Sequence, residues 1–188
     1  MATTADFKNG LTLEYNHDLY TIVEFQHVKP GKGPAFVRTK LKSVTTGKVI
    51  DNTFSAGHKI DDVRVETHKF QFLYAEGDTH HFMNTEDYNQ ITLEKSTLDA
   101  PELLKEGEVV TVIINSEDQM PLSVEMPASV ILEVTATEPG VKGNTATNAT
   151  KPATVETGAE VMVPLFINEG DKIKIETEKG TYKERIKE

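Results

Sequence analysis

Short runs in which apolar and polar residues alternate, broken at intervals by Gly, Pro, Asn or Asp, recur along this 188-residue chain. A period of two puts successive side chains on opposite faces of an extended segment, so the pattern predicts β-strands. In the first third, strands are expected at Leu11–Leu13, Tyr20–Val28, Ala35–Leu41 and Val49–Phe54, with turns at Asn16-His17-Asp18 and Thr46-Gly47-Lys48. In the middle, Lys69–Tyr74 and His80–Asn84 flank a Gly77-Asp78 hairpin turn, and Val109–Ile114 and Leu122–Met126 follow. The last third reads as five short strands, Val130–Thr135, Ala153–Val155, Glu160–Pro164, Lys172–Glu176 and Thr181–Arg185, a rhythm that suits an oligonucleotide-binding-type barrel. A single segment, Leu98–Lys105, reads as a helix: Asp99 can cap it, Pro101 suits its first turn and Gly107 lies just past its end.

The expected fold class is therefore all-β; the length suits two or three small domains, and the strand runs group over residues 1–65, 66–128 and 129–188. The passage Asp61–Glu66 lacks Gly, Pro and Ser and keeps a strand-like alternation, so it reads as a stiff junction rather than a flexible linker. The chain has 37% hydrophobic and 27% charged residues, no apolar run of bilayer-spanning length and no signal-like start. Cysteine is absent, which removes disulfides, thiolate chemistry and Cys-based zinc sites and agrees with a cytoplasmic location.

A net charge of −10 argues against a simple nucleic-acid binder, because affinity for phosphate comes from lysine and arginine displacing counterions. The distribution changes that picture. Residues 1–65 hold nine Lys/Arg against seven Asp/Glu, whereas residues 66–128 hold three against thirteen and residues 129–188 eight against ten. The first third can present a basic face while the acidic middle points elsewhere.

Candidate chemistry concentrates at Lys29-Pro30-Gly31-Lys32-Gly33-Pro34. Proline has no N–H for a strand ladder and glycine permits a tight reversal, so Pro30, Gly31, Gly33 and Pro34 set the geometry of a hairpin tip that presents Lys32. A solvated turn with an incidental lysine is the other reading of those residues. On the strand that follows, Arg38, Lys40 and Lys42 alternate with Val37, Thr39 and Leu41, which puts three cations on one face. That face is a phosphate-facing ridge or a plain solvated surface.

Other pairs carry no chemistry. His80 and His81 are adjacent on a strand, so they face apart and lack a third metal ligand nearby; Asp61 and Asp62 face apart as well. With no Gly-rich phosphate loop, nucleophile elbow or metalloprotease helix, no enzyme, metal or cofactor is expected.

The run Val28–Lys40 resembles the tip and following strand of bacterial translation elongation factor P, and the likeness extends through Phe82–Gln90 and the long stretch Lys151–Gly170. The resemblance implies an SH3/KOW-like barrel followed by two OB-fold barrels in an L-shaped, tRNA-like arrangement. It implies a non-enzymatic, cytoplasmic, monomeric factor that binds the ribosome between the peptidyl and exit sites and relieves stalling at consecutive prolines. Implied partners are ribosomal RNA, ribosomal proteins near the exit site and the peptidyl tRNA, whose acceptor end the Lys32 position approaches. Lys29, Arg38, Lys40 and Lys42 become candidates for tRNA or rRNA phosphate contacts. Gly143, Asn144 and Thr145 lie in the loop that family members place near the messenger codon of the exit site. Many relatives have aspartate where Asn144 stands; asparagine keeps an acceptor, adds donors and drops the charge, and its other reading is a self-bonded turn. Some lysine-bearing members extend the tip side chain enzymatically, which makes a lysine-modifying enzyme a candidate partner; the Pro-Gly-Lys-Gly-Pro tip resembles the class that works bare. The competing classes are a general β-barrel RNA-binding or chaperone module, a divergent paralogue without polyproline activity and, last, an enzyme.

Overall fold

The computed structural model describes residues 1–140 and 149–187. β1 (Ala2–Thr3), β2 (Thr12–Tyr15), β3 (Asp18–Val28), β4 (Phe36–Ser43), β5 (Val49–Ser55) and β6 (Lys59–Val63) form one antiparallel sheet in the order β1-β6-β2-β3-β4-β5. β7 (Val65–Glu76), β8 (Thr79–Asn84), β9 (Gln90–Glu94), β10 (Val109–Asn115) and β11 (Pro121–Glu125) form a second, ordered β11-β10-β7-β8-β9. β12 (Ser129–Thr137), β13 (Thr150–Val155), β14 (Glu160–Pro164), β15 (Lys172–Glu176) and β16 (Thr181–Ile186) form a third, ordered β14-β13-β12-β15-β16. The all-β expectation holds. By contact the chain divides into two compact units, Met1–Thr67 with Ile113–Ser123, and His68–Val112 with Val124–Glu188.

In the first unit, β4 shows the period of two without a break: Val37, Thr39, Leu41 and Ser43 are buried and Arg38, Lys40 and Lys42 exposed. Val37 and Leu41 join Phe7, Leu13, Ile22, Phe54 and Ile60 in a small core, where Phe7 meets Phe54 edge to face at 5.5 Å. β3 does not keep step throughout. Its pairing with β4 shifts between Ile22 and Glu24, leaving Val23 as the extra, exposed residue of a bulge. At the end away from the β3–β4 connection, Asn16 and His17 take φ of 51° and 63°, the left-handed pair that a two-residue hairpin turn requires. Asp18 then accepts from the Leu19 N–H at 2.8 Å and the Ser43 hydroxyl at 2.9 Å, fixing that end of the hairpin.

In the second unit the predicted helix is absent. Leu98–Lys105 contains a single 3₁₀ turn, Pro101–Leu103, whose cap residue is Ala100 and receives no side-chain cap bond. Packing overrides the local signals, since a helix this short gains too few bonds to offset its nucleation. Leu98 makes an isolated parallel bridge with Val124, while Ala100 and Leu103 are buried among Val130, Leu132, Val163 and Ile173. Lys105 donates to the Ile131 carbonyl at 3.0 Å and lies 3.6 Å from the Glu156 carboxylate. A segment between β9 and β10 is thus built into the core of the third sheet. Leu103→Ala should therefore cost about 2–5 kcal/mol of unfolding free energy, read by denaturant titration; a loss under about 1 kcal/mol would mean that the contact is dispensable.

Candidate nucleic-acid interface

The β3–β4 connection, residues 29–35, carries the predicted tip. Gly31, Lys32, Gly33 and Pro34 are exposed, as is Lys29, while Pro30 is half-buried. Of the two glycines only Gly33 needs to be one: its φ is +107°, in the region that penalises a Cβ, whereas a Cβ on Gly31 would meet nothing within 4 Å. Lys32 has no hydrogen bond or ion pair among the described residues, so its ammonium is available to an incoming group.

Below the tip, Arg38, Lys40 and Lys42 share the outer face as expected, but they differ in electrostatic setting. Arg38 sits between Gln26 and Thr53 in the register, and its guanidinium lies over the Phe36 ring at 5.5 Å from the centroid. Lys42 stands between Thr21 and Val49. Lys40 stands between Glu24 and Asp51, and its ammonium is 3.5 Å from the Glu24 carboxylate. Both members of that pair are exposed, so it holds by a few tenths of a kcal/mol up to about 1 kcal/mol and yields to a stronger anion. The hollow on this face, about 360 Å³, is lined by Arg38 and Lys40 but also by Glu24 and Asp51. Its charge balances, so it is no dedicated anion pocket. Lys29, Lys32, Arg38 and Lys42 make no ion pair among the described residues, although Arg38 shares the hollow with Glu24 and Asp51.

Gly143, Asn144 and Thr145 lie outside the described residues. The ends of their segment are well held: Lys151, buried, donates to the Glu138 carbonyl at 2.6 Å, and the Thr137 hydroxyl donates to the Pro152 carbonyl at 3.0 Å. His80 is buried with its ring against Phe72, and His81 stacks on Tyr74 at 4.3 Å with Nε2 3.9 Å from Glu76. The sequence reading missed the carboxylates flanking Lys40 and the burial of Lys151. The first requires the strand register; the second has no local signal, because it depends on the packing around Lys151 and its bond to the Glu138 carbonyl.

Three domain families match in series: the "Elongation factor P (EF-P) KOW-like domain" over residues 3–60, the "Elongation factor P (EF-P) OB domain" over 65–124 and "Elongation factor P, C-terminal" over 130–185. Proteins named elongation factor P from Christiangramia forsetii and Flavobacterium johnsoniae are 79% and 73% identical over 188 residues, covering 100% of both chains in each case. The one from Flavobacterium psychrophilum is 71% identical over 187 residues, again with 100% of both covered. Likeness of this degree along the whole length has one reading: the chain belongs to the elongation factor P family of translation elongation factors.

Proposed function

We propose that this protein binds the ribosome between the peptidyl and exit sites, with Lys32 against the acceptor end of the peptidyl tRNA, and speeds peptide-bond formation at consecutive prolines. The observation that carries the reading is the exposed Lys32, without a partner among the described residues, at the end of the β3–β4 hairpin and inside the KOW-like match. Proline is a constrained nucleophile, and a factor that orders the acceptor end lowers the barrier by positioning the reactants rather than by new chemistry. Lys29, Arg38 and Lys42 contact backbone phosphates, which position without reading sequence. Lys40 contributes less, because Glu24 and Asp51 already offset its charge. Gly143, Asn144 and Thr145 meet the messenger at the exit-site codon. Residues 1–65, 66–128 and 129–188 serve as three building blocks of a monomer that acts in the cytoplasm. A general single-strand binder would interleave aromatics with cations on an open face, and on the outer face of β4 the one ring, Phe36, is half-buried beside Arg38.

The deciding experiment is ribosome co-sedimentation and reconstituted synthesis with and without a polyproline-encoding message. Message-dependent stimulation is expected; binding with equal synthesis from both messages would leave only a general RNA-binding role. The salt dependence separates the cations. Arg38→Gln and Lys42→Gln should each reduce the slope of log affinity against log salt by about 1, and Lys40→Gln by clearly less. Equal slopes for all three and the wild type would return this face to plain solvated surface.

A further inference from the structure

On the third sheet the turn after β14 presents a large aromatic side chain to solvent. Phe166 is 57% exposed, although the turn that carries it is tightly held. The Ile167 N–H donates to the Pro164 carbonyl at 3.2 Å, and the Ile167 side chain is fully buried in the core. The Asn168 amide donates to the Phe166 carbonyl at 3.3 Å. The exposure of Phe166 therefore comes from a fixed backbone. One face of its ring is covered by the Arg185 guanidinium, 5.4 Å from the centroid. Arg185 is itself held 3.8 Å from the Asp171 carboxylate, which accepts from the Asn168 N–H at 2.9 Å. The result is a rigid ring with a cation behind it and solvent on the remaining face.

Its position gives this arrangement a direction. Thr150 pairs with Pro164 across β13 and β14, so the turn lies beside the point where the chain returns after residues 141–148. On the other side, a Cβ at Gly140 would come within 2.6 Å of the Leu165 carbonyl, so the chain leaves for that segment pressed against the residue next to Phe166. The turn that carries the ring thus neighbours both ends of the segment to which the proposed function assigns a messenger contact, and the inference rests on that reading.

From these observations we infer that Phe166, backed by Arg185, is a stacking platform for an unpaired RNA base. Every base offers a π-face, so stacking tolerates any sequence, and the guanidinium, itself paired with Asp171, backs the ring from behind. This suits a factor that must work on many messages.

The test uses full-length protein titrated onto ribosomes carrying a message and a peptidyl-site tRNA. Phe166→Ala should weaken binding by about fivefold or more, and Phe166→Tyr, which keeps the ring, should stay within about twofold of wild type. Unchanged thermal unfolding of both variants excludes a folding defect. Replacing Phe166 by a benzophenone amino acid and irradiating the complex should yield an adduct that shrinks with ribonuclease. Wild-type affinity for Phe166→Ala, or an adduct sensitive to protease alone, would overturn the platform while leaving the proposed function standing. Failure of the wild type to bind programmed ribosomes would remove the function, and the platform with it.

Discussion

Lys32→Ala is expected to return polyproline synthesis to its factor-free rate while leaving unfolding free energy within about 0.5 kcal/mol of wild type. The fold should not notice the change, because Lys32 is exposed and makes no bond among the described residues. Activity should be lost, because the proposed role rests on that one ammonium. A bare lysine carries its charge only about 6 Å beyond Cα, so the loop must supply the rest of the reach. Pro30 and Pro34 restrict the backbone on either side and Gly33 fixes the reversal at φ +107°, so less entropy is lost when the tip docks. Pro34→Ala should accordingly reduce stimulation by about two- to fivefold, the equivalent of roughly 0.4–1 kcal/mol of added loop freedom. The same argument favours an unmodified side chain. Intact-mass spectrometry of protein from its native host should show no adduct on Lys32, and an added group whose removal silences the factor would reject that expectation. Full activity of Lys32→Ala would reject the role of the loop itself.

Most strands were legible because alternation is a direct consequence of backbone geometry, although β1, β6 and β9 were not among those expected. β4, with Arg38, Lys40 and Lys42 outward and Val37, Thr39 and Leu41 inward, follows the sequence reading residue for residue. The helix expected at Leu98–Lys105 was not, because the signals at Asp99, Pro101 and Gly107 are local while Ala100 and Leu103 are claimed by a core assembled from residues 130–175. The balance of charge on the outer face was equally hidden. Glu24 and Asp51 are far from Lys40 in sequence, and only the strand register, with its shift between Ile22 and Glu24, brings both beside it. Lysines also look alike in a sequence: Lys32 makes no bond among the described residues and Lys40 is paired with Glu24, while Lys151 is buried.

That last lysine carries the second large effect. A buried ammonium is costly unless bonded, and Lys151 is 6% exposed with a single acceptor among the described residues, the Glu138 carbonyl at 2.6 Å. The bond spans from the start of β13 back to the residue just past β12, across the segment that contains Gly143, Asn144 and Thr145. Lys151→Ala removes three methylenes and the ammonium from a packed site and leaves a backbone oxygen unsatisfied, so a loss of about 2–4 kcal/mol is expected in denaturant unfolding. Lys151→Met separates the two contributions. It keeps most of the apolar volume and relieves the buried charge, giving up only the charge-assisted bond, so it should cost about 1 kcal/mol. If both variants lose the same amount, the hydrogen bond and not the packed stem holds the two strands together at this point. If neither loses more than about 0.5 kcal/mol, Lys151 is not the anchor that its burial and bond describe.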